Sequence, residues 1–319
     1  MLKRTYDRDL IPKSAAAYLG TVIHKIIDLN SKGHINNVEQ FNSSWDQEIN
    51  EVEDKLKNMG FYSIVPLKKN TKGFGTKKEK CKRSVLVKKV KPIKRDIVSS
   101  YGNEKELKSN DGLIIGTADR IIQSNNGAII FDMKTGDILD DGDVKEIYRY
   151  QLLLYAYLWF EEQGEYPHRL VLSNLSDVEY DVEFSEGEIS ELVKNIKEKL
   201  ESVNKAIDED QIDSLASPSL ENCSYCVQKA RCEYHWGLDE LKEHDFTNLR
   251  GDFVRRIESR NGNISIEIDE NGTSNKIKGL SIGQVPELNH NQHVSVYNIR
   301  KDQRRENSFK AISRTVIIT

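Results

Sequence analysis

The chain has 319 residues, a formal net charge of -4, 37% hydrophobic residues and 31% charged ones, enough for a full domain plus a small second one without covalent staples. No run approaches the ~18–20 apolar residues of a membrane span, the opening MLKRTYDRDLIPKS lacks an apolar signal core, and no GxxxxGK[ST] loop occurs, which argues against a membrane protein, a secreted protein and a P-loop motor. Of the four cysteines three crowd into residues 223–232, a usage that suits a reducing compartment and predicts a cytoplasmic protein.

Residues 14–30 predict a helix with Ser14 as N-cap, because Tyr18, Val22, Ile26 and Leu29 step by three or four. Val38, Phe41, Trp45, Ile49, Val52 and Leu56 predict a second, stronger helix. After Gly60, FYSIVPL reads as a short extended piece. Between Lys68 and Arg95 stand thirteen Lys/Arg and a single acid, Glu79; this stretch, with KGFGTKK at its centre, reads as a mobile loop. Strands follow over about 96–107, 113–122 and 127–133, separated by the turn signals NDG and SNNG.

The pattern then returns to a helix, VKEIYRYQLLLYAYLWFEEQG, ending near Gly164. HRLVLSNL and VEYDVEF predict two further strands, and a long amphipathic helix starts after Ser185. Beyond about residue 240 the texture changes to short strands, ISIEID, HVSVYNIR and FKAISRTVII among them, with polar turns between. That spacing predicts a small β-barrel or sandwich. The expected division is therefore 1–240 and 241–319.

The hairpin GTADRIIQSNNGAIIFDMKTGD carries the chemistry. Asp119 lies on its first run, and Asp132 and Lys134 on its second. Positions two apart on a strand point to one face, so Asp132 and Lys134 share a face beside Ile130 and Phe131. Charges in such a strand are unfavourable unless paired or bound to a metal. Two carboxylates brought together repel unless a divalent cation lies between them, and oxygen ligands suit Mg2+ or Mn2+. Carboxylates, metal and a lysine are the parts that phosphodiester hydrolysis needs. A single strand-end aspartate is usually a turn residue; the density here points further.

D-(x)n-D-x-K on a hairpin resembles the PD-(D/E)XK nuclease motif, and GTADRI followed by IIFDMKTGD is similar to its RecB-type branch, which includes AddB-like and CRISPR-associated exonucleases. GTVIH with His24 on an early helix, Q-x-x-x-Y at Gln151 and Tyr155, and CSYCVQKARC follow in that branch's order, over roughly residues 14–235. Ala118 stands where the motif's name has proline, a departure common in this branch. The resemblance implies a restriction-endonuclease-like α/β core, a mixed sheet flanked by helices. It implies His24, Asp119, Asp132 and the Met133 backbone carbonyl as ligands of Mg2+ or Mn2+. Lys134 would be the catalytic lysine, with Gln151 and Tyr155 positioning the DNA strand or the lysine. Glu104 and Glu106, on the preceding strand, are further carboxylate candidates. A lone helical histidine is more often a packed core residue, and only this context makes His24 a ligand candidate.

Cys223, Cys226 and Cys232 are spaced to share one metal. The resemblance implies a 4Fe–4S cluster, which needs four ligands; Cys81 completes the count, although in such relatives the distant cysteine precedes the histidine helix. A zinc site with His235 as fourth ligand stays open. Either metal would stabilise the fold rather than perform the chemistry.

The basic stretch, with Lys77, Lys78, Lys80, Lys82 and Arg83, would hold a phosphate backbone without reading sequence, and a solvated charged face is the equally weighted alternative. Phe74 within it, and Phe309 in the C-terminal strands, are candidates for stacking on bases, the latter on an OB-like barrel; a structural or protein-docking role for the barrel is slightly favoured. The expected function is a Mg2+/Mn2+-dependent deoxyribonuclease, an exonuclease on single-stranded or unwound DNA ends. Lacking a motor, it would work beside a helicase or ATPase partner in trans, in DNA repair, recombination or defence against foreign DNA. The rivals are a catalytically silent DNA-binding subunit and a structural zinc module for protein assembly.

Overall fold

A computed structural model describes residues 11–86, 97–176, 178–238 and 246–319. The chain divides into two compact units. One takes Leu19–Ile49 and Gly73–Lys205; the other takes the residues up to Tyr18, Asn50–Lys72 and Ala206–Thr319.

In the first unit, helix α1 (Ala15–Ser31) starts where Ser14 Oγ accepts from the Ala17 N–H at 3.2 Å, the cap its sequence announces. From α1 this unit takes Leu19, Val22, Ile23 and Ile26, all buried. Helix α2 (Val38–Asn58) stacks Phe41 on Trp45 with ring centroids 5.8 Å apart. The lysine-rich stretch is not a mobile loop over its described part. It forms helix α4 (Phe74–Leu86), after a short α3 (Leu67–Asn70) in the other unit. Phe74, Cys81 and Val85 recur at helical spacing; Cys81 and Val85 are buried and Phe74 meets Trp45 edge-on at 5.9 Å. Asn30 Nδ2 caps the end of α4 by donating to the Val85 carbonyl at 3.2 Å. The basic residues at 88–95 lie outside the described residues.

A five-stranded sheet forms the centre of this unit, in the order β1 (Ile97–Lys108), β2 (Ile115–Ser124), β3 (Gly127–Lys134), β6 (Arg169–Asn174), β7 (Glu179–Asp181). Two two-residue strands, β4 (Leu139–Asp140) and β5 (Asp143–Val144), pair apart from it. β3 and β6 run parallel and the other pairs antiparallel, so the sheet is mixed. The parallel pair needs a crossover, which α5 (Glu146–Gln163) supplies. Leu152, Leu153, Ala156 and Trp159 of α5 are buried with Ala118, Ile121, Ala128, Ile130 and Leu170 of the sheet in one apolar core. Gly164 ends the helix in the left-handed conformation, φ 79°, which favours glycine. Helix α6 (Glu186–Asp208) opens on Ser185, whose Oγ accepts from the Glu188 N–H at 3.2 Å. The α/β core with a mixed sheet and helices is the expected class.

In the second unit, FYSIVPL is not extended. A 3-10 turn at Tyr62–Ile64 leads into α3, and Phe61, Ile64 and Leu67 are buried at every third position, the period of such a turn. Helices α7 (Leu220–Tyr225) and α8 (Glu233–Trp236) follow. Then come β8 (Phe246–Glu258), β9 (Ile264–Glu270), β10 (Thr273–Leu280), β11 (His293–Lys301) and β12 (Ser308–Ile318). These close into a barrel in the order β10-β12-β11-β8-β9. β12 lies between β10, to which it is parallel, and β11, to which it is antiparallel. Ile264, Ile266 and Ile268 alternate inward along β9 against Ile277, Val296 and Ile299, the period-2 pattern of a barrel wall. Phe309 belongs to this core and is 8% exposed, so it does not stack on a base. Among the described residues, no helix is long and apolar enough to cross a membrane.

Candidate active site

The β2–β3 hairpin sets the site. Its ladder runs from Ser124↔Gly127 to Arg120↔Phe131, so Asp119 and Asp132 stand opposite each other one step past the last pair. Asp119 Oδ2 accepts from the Met133 N–H at 2.6 Å, and its Oδ1 lies 3.3 Å from His24 Nδ1 of α1. Met133 therefore enters the site through its N–H. α1 approaches closely because Gly20 of GTVIH is small: a Cβ there would lie 3.1 Å from Thr135 Oγ1.

Asp132 is 2% exposed. Lys134 Nζ lies 2.6 Å from its Oδ2, yet out of line, so this buried oxygen has no hydrogen bond. Burial pushes the Asp132 carboxyl up to about 6; Lys134 opposes that rise and the Asp119 charge adds to it. Burial pulls His24 down, but hydrogen bonding and charge from Asp119, with the charge of Asp132, outweigh it and hold the imidazole above its ordinary value.

Lys134 is fastened by α5. Its ammonium donates to Gln151 Oε1 at 2.6 Å, and Gln151 Nε2 donates to the Tyr155 hydroxyl at 2.7 Å. An ammonium can only donate, which fixes the orientation of the Gln151 amide. Burial, with the charges of Asp132 and Asp119, pushes the Tyr155 phenol up to about 12 against the Gln151 hydrogen bond. Two participants are not obvious from the motif. The Tyr148 ring lies under Lys134, 4.7 Å from Nζ to the centroid; its spacing of three from Gln151 is the signal in the sequence that points to it. Gly116, first residue of GTADR, makes room for Tyr155, because a Cβ there would lie 2.8 Å from its Cε1. Glu104 and Glu106 of β1 are both exposed, in contrast to the buried Asp132, and burial does not single out either as a further ligand.

Among the described residues, no three His, Cys, Asp or Glu side chains converge as metal ligands do. The donor set of the hairpin nonetheless fits a divalent ion: two carboxylates and an imidazole, with a buried carboxylate oxygen lacking a hydrogen bond.

In the second unit, Cys223 lies on α7 and Cys226 caps it, while Cys232 precedes α8. Burial raises the Cys223 thiol, and the nearby Cys226 and Cys232 raise it further against a backbone hydrogen bond, so the three are electrostatic neighbours. Cys81 belongs to the other unit. It is fully buried on α4, and burial pushes its thiol up to about 12, away from the thiolate a metal takes. His235 is committed elsewhere. The Asn298 N–H donates to Asn248 Oδ1 at 2.9 Å, so Asn248 Nδ2 faces His235 Nε2 at 2.8 Å and must donate to it. The proton of neutral His235 then sits on Nδ1, which has no partner. In that tautomer neither nitrogen is free to ligate zinc.

On α4, Lys80 and Arg83 are exposed, while Lys77, Lys78 and Lys82 are half-buried. Lys78 lies over the Trp45 ring at 5.5 Å and 3.5 Å from Asp46. Phe74, packed on the same ring, is a structural residue rather than a free stacking platform.

Three solved structures share the chain's general features at low identity. They are the crystal structure of SSO0001 (16% identity, 73% of this chain and 91% of that one, TM-score 0.24), a structure described as "Structural mimicry for functional antagonism" (6%, 69% and 90%, 0.21), and a murine DNA-binding protein bound with double-stranded DNA (8%, 70% and 91%, 0.20). At these TM-scores none bears on the function of this chain. No curated protein matches it. The family model of the PD-(D/E)XK nuclease superfamily matches residues 2–233, a span that contains His24, the hairpin, Gln151 and Tyr155. The chain belongs to the PD-(D/E)XK nuclease superfamily.

Proposed function

We propose that the chain is a divalent-metal-dependent deoxyribonuclease of the RecB-like branch, acting as an exonuclease on single-stranded or unwound DNA ends. The observation that carries this reading is the buried Asp132, set opposite Asp119 and ion-paired to Lys134 at 2.6 Å. His24, Asp119 and Asp132, with the Met133 carbonyl, would hold Mg2+ or Mn2+. When bound, such an ion neutralises charge on the scissile phosphate and activates water.

The chain's own groups do the rest. Asp119 holds His24 in place through Nδ1 and fixes the end of β3 by accepting from the Met133 N–H. Gln151 accepts from Lys134 and keeps the ammonium at the site's edge. There it donates to a phosphate oxygen as negative charge grows on it in the transition state. Tyr155, anchored over Gly116, keeps Gln151 in register. The basic face of α4 would grip the DNA backbone. The cysteine trio would carry a structural metal, with iron–sulfur supported by the resemblance; the barrel serves as an OB-like docking module. A helicase partner in trans and a place in repair, recombination or defence rest on the resemblance alone.

The test incubates the full chain and Asp132→Ala with end-labelled single-stranded and duplex DNA, in Mn2+ or EDTA. Release of short products in Mn2+ alone, lost in the variant, supports the reading. Cleavage that survives the substitution removes Asp132 from the site, and DNA binding without cleavage by the unaltered chain favours a silent binding subunit.

A further inference from the structure

Within CSYCVQKARC one residue is out of keeping with its surroundings. Lys229, midway between Cys226 and Cys232, is 4% exposed. Its Nζ donates to Asn298 Oδ1 at 2.6 Å, a neutral acceptor. Among the described residues no carboxylate lies within ion-pair distance of it. A second cation, Arg314, is near enough to repel it, and the only described groups nearby that can become anionic are Cys226 and Cys223. Burial and then the Arg314 charge pull the Lys229 ammonium down to about 8, while the two cysteines hold it up.

A buried ammonium without an anion is strongly unfavourable. Asn298 supplies only a dipole, and it is itself fully engaged. Its N–H donates to Asn248, its Nδ2 to the Arg314 carbonyl at 3.0 Å, and its carbonyl accepts from Thr315 Oγ1 at 2.6 Å. It sits at φ 57°, where the β11 register shifts. The barrel wall is thus locally reshaped around one residue that receives the lysine.

We propose that Lys229 is the buried counter-charge of a thiolate–metal centre formed by Cys223, Cys226 and Cys232, and that it ties this centre to the barrel through Asn298. The proposal rests on the metal reading of the cysteines given above. Each cysteine that ligates releases its thiol proton to solvent, and the net negative charge so created is the partner that Lys229 lacks. Lys229 is a positioning residue for the centre and takes no part in cleavage.

The experiment uses the full chain stripped of metal by chelation and titrated with Co2+, read by the thiolate-to-cobalt absorbance, for wild type, Lys229→Met and Lys229→Gln. Thermal unfolding of each metal-free protein checks folding. The expected result is a loss of cobalt affinity of about 10–100-fold in whichever variants fold. Wild-type affinity in a folded variant overturns the role of Lys229 and leaves the cysteine centre standing. Absence of the thiolate band in wild type overturns both.

Discussion

Lys134 and Asp132, alternate residues of β3, bring ammonium and carboxylate within 2.6 Å of each other where Asp132 is all but excluded from water. In the metal-free protein the lysine thus supplies the positive charge next to the buried carboxylate, and it does so without a well-aligned hydrogen bond.

Asp132→Asn is expected to abolish metal-dependent cleavage while raising the stability of the metal-free protein by about 1–3 kcal/mol at neutral pH. The folded carboxyl titrates at about 6, above its ordinary 3.8, so the folded state binds the proton more tightly than the unfolded state. Stability from this group is full below about 4 and is lost as pH rises through 6. Thermal unfolding in EDTA should show the wild type falling behind the variant across that window, and equal curves from pH 4 to 7 would refute the account.

Gln151→Leu removes the acceptor of Lys134 and the donor to Tyr155 together. Single-turnover rates on single-stranded DNA are expected to fall about 10–100-fold, with DNA affinity nearly unchanged. Tyr155→Phe keeps the ring over Gly116 and should lose less. A loss confined to affinity would instead mean that Gln151 holds DNA.

Gly116→Ala places a methyl 2.8 Å from Tyr155 Cε1 and 3.3 Å from Leu158 Cδ1, on a helix whose face is packed. The expected destabilisation is about 1–3 kcal/mol, with reduced cleavage because Tyr155 shifts. In a Tyr155→Leu background the penalty should shrink, a coupling that a double-mutant cycle measures.

Lys80→Glu combined with Arg83→Glu reverses two exposed charges of α4. Binding to single-stranded DNA is expected to weaken alike for all sequences, and the dependence of log affinity on log salt to flatten by about 0.7 for each phosphate that the helix no longer neutralises. Unchanged affinity and slope would make α4 a solvated face.

The hairpin is legible in the sequence because it is short-range. Period 2 puts Asp132 and Lys134 on one face, SNNG fixes the turn, and register then brings Asp119 opposite Asp132 without further information. The Gln151–Tyr155 spacing is readable for the same reason. Whatever depends on packing is not. Charge density in 68–95 masks the helical recurrence of Phe74, Cys81 and Val85, whose burial outweighs the repulsion among lysines. Counting cysteines makes Cys81 a ligand candidate, but counting says nothing of burial, and Cys81 is a core thiol of α4. Phe309 has the chemistry of a stacking platform, and barrel closure turns it inward. His235 has suitable spacing for zinc, and only the Asn298–Asn248 hydrogen bond reveals which of its nitrogens carries the proton.

The position of β12 also governs how the barrel is made. Because Ser308–Ile318 is inserted between β10 and β11, those two strands have no partner on that side until β12 has left the ribosome. For that interval the nascent barrel is an open sheet with two unpaired edges, the state most prone to pairing with another chain. Slow synthesis or truncation within β12 would therefore convert a closed module into an aggregation nucleus even with every residue of the hairpin intact.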